Sequence, residues 1–301
     1  MTSTDGYATG TALWRAVTDR AKAAAQITGG ESGALVRRFV FGRFLARVFA
    51  DPSTPWVLKG GTAVLARVHD ARTTKDVDLL HQLVDIDAAV EALRAATRTD
   101  LADHFRFVIT AVGPNVGGQP EVVGARVTVD AYCGAVRRDV FGVDLVTGAL
   151  MTSTPEALAD TVLDVRGIEA PTMRLYPVVD HIADKLCATQ AMYGTDGERP
   201  SSRVRDLVDL VVLARSQDVD GSALITAVHS EWTHRSLPGA PVFAPPAGWA
   251  RRYPPEARKT PAVADLTVFA DAVALVGGFL APVLDGRAAG LRWVATELSW
   301  R

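Results

Sequence analysis

One segment constrains the fold of this chain more than any other: an apolar run that ends in a pair of glycines and continues as a helix. Trp56-Val57-Leu58 predicts a buried strand, Gly60-Gly61 predicts a tight turn, and the residues from Thr62 onward predict a helix. Glycines let a backbone approach a phosphate closely, and the free N–H groups at a helix N-terminus attract anions. The segment therefore predicts a phosphate-binding turn.

A short acidic strand follows the glycine turn. Asp76-Val77-Asp78-Leu79 places two carboxylates in an otherwise apolar run, and because strand side chains alternate between faces, Asp76 and Asp78 point the same way. Two adjacent carboxylates repel each other unless a cation lies between them, and hard oxygen ligands suit Mg²⁺. A phosphate-binding turn beside a divalent-metal pair is typical of a phosphoryl- or nucleotidyl-transfer site.

The composition excludes several other classes of protein. No apolar run in the 301 residues is long enough to span a membrane, and the first residues do not resemble a signal peptide. Cys133 and Cys187 give no disulfide framework and no metal motif. The net charge of −2 argues against a globally basic nucleic-acid coat, so an RNA contact would use local patches. We expect a cytoplasmic protein without a membrane partner.

The order of the predicted elements indicates an α+β fold with a domain boundary near residue 175. Helices are predicted at 10–28, 32–49 and 85–98, and strands at 105–111, 122–132 and 140–146. The second half is mostly helical, with helices predicted at 180–193, 203–215, 221–234 and 263–281. Thr154-Pro155-Glu156 predicts a further helix start, and the proline-rich stretch 238–262 predicts a long loop. Residues 1–175 would form one domain, and residues 176–301 a helical one.

A third carboxylate is a candidate for the same metal site. Asp144 is the lone acid in the apolar run 140–146, and a buried unpaired carboxylate is costly enough that it needs a cation or a metal as its partner. A salt bridge inside the sheet is the alternative. Asp130 is the rival candidate, although its alternation with Arg126 and Thr128 predicts a solvated face there.

A second charged motif lies in the helical half. Lys185 lies next to Asp184 on an apolar predicted helix, and the run 203–210 that follows carries Arg203, Arg205, Asp206 and Asp209. The spacings of Arg203 to Asp206 and of Arg205 to Asp209 allow local ion pairs on a helix. By itself, the motif fits a pair of packed helices with outward-facing charges equally well.

Two basic segments are candidates for nucleic-acid contact. Trp249-Ala250-Arg251-Arg252-Tyr253 interleaves aromatic and basic residues, a combination that can stack bases and hold phosphates. The other group lies near the N-terminus and comprises Arg37, Arg38, Arg43 and Arg47. For either group alone, a solvated loop is the more usual meaning.

Taken together, these residues resemble the AbiEii/MenA-type nucleotidyltransferase toxin family, a branch of the DNA polymerase β-like nucleotidyltransferases. The matching motifs are Lys59-Gly60-Gly61-Thr62 with Arg67, Arg72-Thr73-Thr74-Lys75-Asp76-Val77-Asp78, Asp184-Lys185, and Arg205-Asp206-Leu207-Val208-Asp209-Leu210. Thr62 stands where polymerase β-like enzymes usually have serine, a change that keeps the hydroxyl. The common order and spacing of the motifs are far more specific than any one of them.

The resemblance implies a bilobed fold, in which a polymerase β-like domain with a mixed sheet and flanking helices is followed by a mostly helical lobe that completes a cleft. It implies transfer of a nucleotide from an NTP with release of pyrophosphate. Family members are toxins paired with an antitoxin, and MenA-type members add pyrimidine nucleotides to the 3′ acceptor end of tRNA. For this chain it implies Mg²⁺, or alternatively Mn²⁺, as the cofactor, a pyrimidine NTP as the favoured substrate, tRNA as the acceptor and an antitoxin as the partner.

Residue roles follow from the same resemblance. The metal would be held by Asp76, Asp78 and, on the strand interpretation above, Asp144. The nucleotide would be bound by Lys59, Gly60, Gly61, Thr62, Arg72 and Lys185. The predicted catalytic set adds Lys185, which would neutralise phosphate charge, and Asp206 as the essential acid of the last motif, with Asp209 as its rival.

Two other functions stay open at this point. The same site could transfer a nucleotide to a protein or to a small molecule such as an aminoglycoside, because the modest net charge does not favour a large polyanion such as tRNA. Alternatively, the chain could be a non-catalytic module that binds nucleotide, although every charged position of the motifs is filled.

Overall fold

The computed structural model describes residues 6–82, 85–115, 124–193 and 199–301. The chain divides into two compact units. The first comprises residues 1–59, 75–149 and 157–175, and the second comprises residues 60–74, 150–156 and 176–301. None of the helices in the described ranges is both long and apolar enough to cross a lipid bilayer.

A mixed sheet of seven strands forms the centre of the first unit. Its strands are β1 Trp56–Leu58, β2 Asp76–His81, β3 Phe105–Pro114, β4 Gly124–Cys133, β5 Val136–Thr147, β6 Glu156–Ala159 and β7 Thr172–Leu175, in the spatial order β3-β4-β5-β2-β1-β7-β6. β2 is parallel to β5, whereas β3–β4, β4–β5 and β1–β2 are antiparallel. β4 matches the strand predicted at 122–132, of which residues 122 and 123 lie outside the described residues.

Aromatic packing holds helices against this sheet. In chain order the first four helices are α1 Gly10–Thr28, α2 Ser32–Val48, α3 Gly60–Arg67 and α4 Ile86–Thr97, of which α3 belongs to the second unit. Phe44 of α2 packs on Phe107 of β3 and Phe141 of β5, with ring centroids 5.5 and 5.3 Å apart. Such edge-to-face pairs add about 0.5–1.5 kcal/mol to the burial of the rings. They hold α2 against β3 and β5, and β5 carries one residue of the site described below.

The second unit is mostly helical. Its remaining elements are α5 Val178–Gln190, α6 Val204–Ser216, α7 Gly221–His234, α8 Tyr253–Arg258 and α9 Phe269–Leu284, with short strands β8 Met192–Tyr193, β9 Arg199–Pro200, β10 Val219–Asp220, β11 Arg292–Val294 and β12 Ser299–Trp300. α6 is buried at Leu207, Leu210 and Val211. A helix that is apolar on nearly every face lies in a core rather than on its surface, so α6 is the central helix of this unit.

The α+β class and the mixed sheet predicted from the sequence are confirmed. The helix start predicted at Thr154-Pro155-Glu156 is wrong, because Glu156 begins strand β6, which hydrogen-bonds to β7 at the sheet edge. Proline is a local signal for a first helical turn, and pairing with a distant strand overrides it. The predicted loop 238–262 contains α8 and the 3₁₀ turn Ala247–Arg251.

Candidate active site

Three carboxylates lie on one face of two neighbouring strands of the first unit. In the parallel pair β2–β5, Asp78 stands opposite Asp144, and Asp76 stands opposite Gly142. Residues two apart on a strand share a face, so Asp76, Asp78 and Asp144 form what we call the carboxylate row. Asp76 and Asp144 are partly exposed, with 38% and 27% of their side-chain surface accessible. The row is therefore open to a ligand.

The guanidinium of Arg126 lies across this row. Arg126 stands opposite Asp144 in the antiparallel pair β4–β5, donates from Nη1 to Asp144 Oδ1 at 2.6 Å, and donates from Nη2 to Asp76 Oδ1. Although burial lowers the pKa of Arg126, its hydrogen bonds to Asp144 and Asp76 and the negative charges of these carboxylates outweigh that effect and raise the pKa. The missing side chain of Gly142 makes the contact possible, since a Cβ there would lie only 2.1 Å from Arg126 Nη2.

The donor atoms of the carboxylate row suit a divalent metal. As the side chains stand, no group of three His, Cys, Asp or Glu residues in the described ranges is arranged to hold an ion. Two of the three carboxylates share a cation, the Arg126 guanidinium, so a positive charge already lies between them. Carboxylate oxygens are the ligands that Mg²⁺ and Mn²⁺ prefer. Asp76, Asp78 and Asp144 therefore fit such an ion by chemistry and by sharing a face.

The predicted phosphate-binding turn belongs to the second unit, where it opens helix α3. Gly60 has a φ of 57°, a left-handed conformation that glycine adopts without strain. Because α3 begins at Gly60, the first N–H groups of the helix have no partner within the helix, which is the arrangement that lets a helix N-terminus hold an anion. Gly61 is constrained from one side, since a Cβ there would lie 3.0 Å from Nη2 of Arg72.

A network of buried charges connects Arg72 to the second motif. Arg72 donates from Nε and Nη2 to the two carboxylate oxygens of Asp209, each at 2.9 Å. Lys185 Nζ donates to Asp209 Oδ2 at 2.6 Å and to Asp206 Oδ1 at 3.0 Å. Arg203 Nε donates to Asp206 Oδ2. We call these five residues the charge network; it places three cations against two carboxylates.

Lys185, Asp206 and Asp209 of the charge network stay ionised at neutral pH. Burial opposes the charged form of Asp206, but Lys185 and Arg203 lower its pKa to about 2. Burial likewise opposes ionisation of Asp209, and Lys185 and Arg72 lower its pKa. Burial lowers the pKa of Lys185 as well, yet Asp206 and Asp209 raise it above the ordinary value. The Lys185 ammonium is therefore a fixed cation that holds two carboxylates together.

The charge network should make the second unit sensitive to acid. The pKa of Asp206 is about 2 in the folded chain and about 3.9 in an unfolded one. The carboxylate thus contributes stability above about pH 4, which is lost as the pH falls towards 2. We expect Asp206→Asn to flatten the fall in unfolding free energy between pH 4 and pH 2, measured by urea titrations. Parallel pH profiles for the variant and the unchanged protein would contradict this.

A surface pocket of about 520 Å³ in the second unit adjoins the charge network. Its lining includes Arg72, Arg203, Arg205, Arg251 and Arg252. Asp206 lines the pocket as well, and Asp209 is not among its lining residues. This difference favours Asp206 over Asp209 as the acid of the motif that can meet a substrate.

A family comparison identifies the protein. The sequence model of the family described as nucleotidyl transferase AbiEii toxin, type IV toxin–antitoxin system, matches residues 43–274, well over half of the chain. The chain belongs to the AbiEii nucleotidyltransferase toxin family. The matched range contains the carboxylate row, the glycine turn and the charge network. The AbiEii assignment makes the protein a nucleotidyltransferase and a toxin of a toxin–antitoxin system, and the predicted family is confirmed.

Solved structures with a similar chain trace include two bacterial proteins. MenT4, a nucleotidyltransferase toxin from Mycobacterium tuberculosis H37Rv, is 16% identical, with 94% of this AbiEii chain and 98% of MenT4 covered at a TM-score of 0.47. JHP933 from Helicobacter pylori is 17% identical, with 85% of this chain and 94% of JHP933 covered at a TM-score of 0.46. A comparison with curated proteins finds no match.

The structure changes the prediction that two basic segments of this AbiEii protein contact nucleic acid. The N-terminal arginines are engaged in the first unit, since Arg37 pairs with Asp139, Arg38 with Asp160, and both Arg43 and Arg47 with Asp103. Trp249 and Tyr253 are buried, so they cannot stack nucleic-acid bases. Arg251 and Arg252 remain exposed.

Two further sequence predictions change around the carboxylate row. Asp130 is buried, not solvated as predicted, and pairs with Arg137 at 3.0 Å. The sequence pattern places Arg126 only on the face of Asp130, and it does not reveal the contact of Arg126 with Asp76 and Asp144 or the role of Gly142. The one available signal was the alternation that puts Arg126 on the acidic face of its strand.

Replacement of the two rival aspartates should separate their roles. Asp130 stands opposite Val140, four residues along β5 from Asp144, which corresponds to about 13 Å. We therefore expect Asp144→Asn to reduce nucleotidyl transfer about 100-fold or more, because it removes one proposed ligand of the divalent metal that would neutralise the triphosphate. Asp130→Asn should keep the transfer rate within a few-fold of that of the unchanged protein. Steady-state transfer assays on both variants test this, and equal losses would contradict the assignment of Asp144.

Proposed function

We propose that this toxin transfers a nucleoside monophosphate from an NTP to the 3′ end of tRNA in a reaction that depends on Mg²⁺ and releases pyrophosphate. The observation that carries the metal proposal is the carboxylate row on adjacent strands. Asp76, Asp78 and Asp144 would hold Mg²⁺ or Mn²⁺, which supplies positive charge to the triphosphate and to the developing transition state. A tRNA whose acceptor end is modified would no longer serve translation, which would explain toxicity. The reaction would take place in the cytoplasm, where tRNA is used.

In this proposal, binding and orienting the nucleotide falls to residues outside the carboxylate row. Gly60, Gly61 and Thr62 offer the N–H groups of the first turn of α3 to the phosphates. Lys59, Arg72 and Lys185 complete the proposed nucleotide-binding set. The contacts of Lys185 with two carboxylates support a role in which it holds Asp206 in place. Positioning and charge neutralisation would carry most of the catalysis.

The acceptor hydroxyl attacks the α-phosphorus, and pyrophosphate leaves from the opposite side. The hydroxyl proton needs a base, for which Asp144 and Asp206 are the candidates. Asp206 is a weak base because Lys185 and Arg203 lower its pKa to about 2. Asp144 is more exposed than Asp206. We therefore assign proton acceptance to Asp144 and keep Asp206 as a fixed negative charge.

The arginine-lined pocket supports RNA as the acceptor. Arg251 and Arg252 line it without an ion pair in the described residues, so their guanidinium groups are available to backbone phosphates. We expect the double variant Arg251→Gln, Arg252→Gln to weaken tRNA binding and to reduce the slope of log affinity against log salt by about 2. Arg287→Gln is the matched control, because Arg287 is exposed and already pairs with Asp285. Identical salt slopes in filter-binding assays would contradict a phosphate-binding role.

The acceptor is tested directly by incubating the protein with Mg²⁺, total tRNA and each α-labelled NTP in turn. We expect label on tRNA with one or both pyrimidine NTPs, and no label when the 3′ end has been oxidised with periodate. Label on a protein or on an added aminoglycoside would contradict tRNA as the acceptor and keep the transferase. If NTP binds but no nucleotide is transferred to any acceptor and no pyrophosphate is released, the whole proposal is contradicted.

A further inference from the structure

Arg126 occupies the face on which the proposed metal would bind. Its Nη1 lies 2.6 Å from Asp144 Oδ1, and its Nη2 hydrogen-bonds to Asp76 Oδ1. Two oxygens of the carboxylate row are thereby used by one planar cation. Charge-assisted hydrogen bonds of this kind are about twice as strong as neutral ones.

We propose that Arg126 is an internal counter-cation that competes with the divalent metal for Asp76 and Asp144, so that this contact sets the metal affinity of the free protein. The inference rests on the metal site put forward under Proposed function and adds a residue that opposes its occupation. A metal ion and a guanidinium cannot share the same two oxygens without strong like-charge repulsion. The metal therefore binds only when the guanidinium leaves.

The contact is built to exchange without unfolding. Arg126 keeps 39% of its side-chain surface exposed, so its head can turn into solvent by side-chain rotation alone. Gly142 provides the space in which the head lies in the bridged state, because a Cβ there would come within 2.1–2.5 Å of three guanidinium atoms. The backbone at Gly142 does not adopt a positive φ, so alanine is compatible with the strand and would displace only the end of the Arg126 side chain.

Two variants remove the bridge in different ways. Arg126→Gln deletes the cation, and Gly142→Ala keeps it but expels it from the space over residue 142. Both should bind Mn²⁺ at least about ten-fold more tightly than the unchanged protein in the absence of nucleotide, since even one of the two charge-assisted hydrogen bonds of the bridge corresponds to about that factor. The measurement is a Mn²⁺ titration followed by the electron paramagnetic resonance signal of the free ion. Thermal melts in EDTA check that each variant is folded.

A third variant separates this inference from the proposed function. Asp78→Asn should abolish Mn²⁺ binding, because Asp78 is a proposed ligand of the metal. One outcome would overturn the counter-cation but keep the metal site. In that outcome, Mn²⁺ binds with equal affinity to the unchanged protein, to Arg126→Gln and to Gly142→Ala, and Asp78→Asn abolishes binding. If no folded variant binds Mn²⁺, the metal site and the counter-cation are both overturned.

Discussion

Lys185→Met is expected to lower the free energy of unfolding by about 3–5 kcal/mol, the cost of removing one partner from a buried ion pair. Lys185 is 3% exposed and is the shared cation of Asp206 and Asp209. Its loss leaves two buried carboxylates whose remaining partners are Arg203 and Arg72. Urea titrations followed by tryptophan fluorescence give the free energy directly.

Lys259→Met is the matched control for this prediction. Lys259 lies in the same unit, is exposed, and follows helix α8. Its replacement should change the free energy of unfolding by less than about 0.5 kcal/mol. If the two variants unfold at the same urea concentration, the charge network does not stabilise the second unit as its geometry implies. At a temperature where Lys185→Met is folded, we also expect it to lose transfer activity, because Asp206 is no longer held.

Asp78→Asn is expected to reduce nucleotidyl transfer by about 10²–10³-fold, the range found when one charge-stabilising group is removed from an active site. The substitution keeps the volume of the side chain and removes its charge from the carboxylate row. Because Asp78 is only partly buried, the melting temperature should change little. Rates of pyrophosphate release, measured at the Mg²⁺ and NTP concentrations that saturate the unchanged protein, test the prediction.

The matched control here is Asp87→Asn, an exposed aspartate in the first turn of α4. It should keep full transfer activity, since it lies on a helix and not on the strand face of the carboxylate row. An Asp78→Asn variant that released pyrophosphate as fast as Asp87→Asn would remove Asp78 from the site. A loss of activity that followed a loss of folding would show instead that Asp78 is structural.

The parts of the fold that depend on neighbours in the sequence were predictable. The strand, glycine turn, helix and acidic strand between Trp56 and Leu79 are read from apolar periodicity and from the conformational freedom of glycine. The bounds predicted for the helix at 221–234 agree with α7. The placement of Asp76 and Asp78 on one face follows from strand alternation alone.

The partners of charged side chains were not predictable in the same way. Arg126 meets Asp76 only because β4 pairs with β5 and β5 pairs with β2 in one particular register, which a single sequence does not specify. The N-terminal arginines find Asp103, Asp139 and Asp160, all more than fifty residues away. Local composition makes such arginines resemble an RNA-binding surface, whereas distant aspartates make them structural.

The most direct test of the central claim is the position of Mn²⁺ in crystals grown with the ion and a non-hydrolysable NTP analogue. Anomalous diffraction locates the ion without reference to any assumed site. The account predicts a peak coordinated by Asp76, Asp78 and Asp144, with the Arg126 guanidinium withdrawn from Asp76 and Asp144. A bound analogue whose Mn²⁺ lies away from these three carboxylates, with Arg126 still bridging two of them, would contradict it.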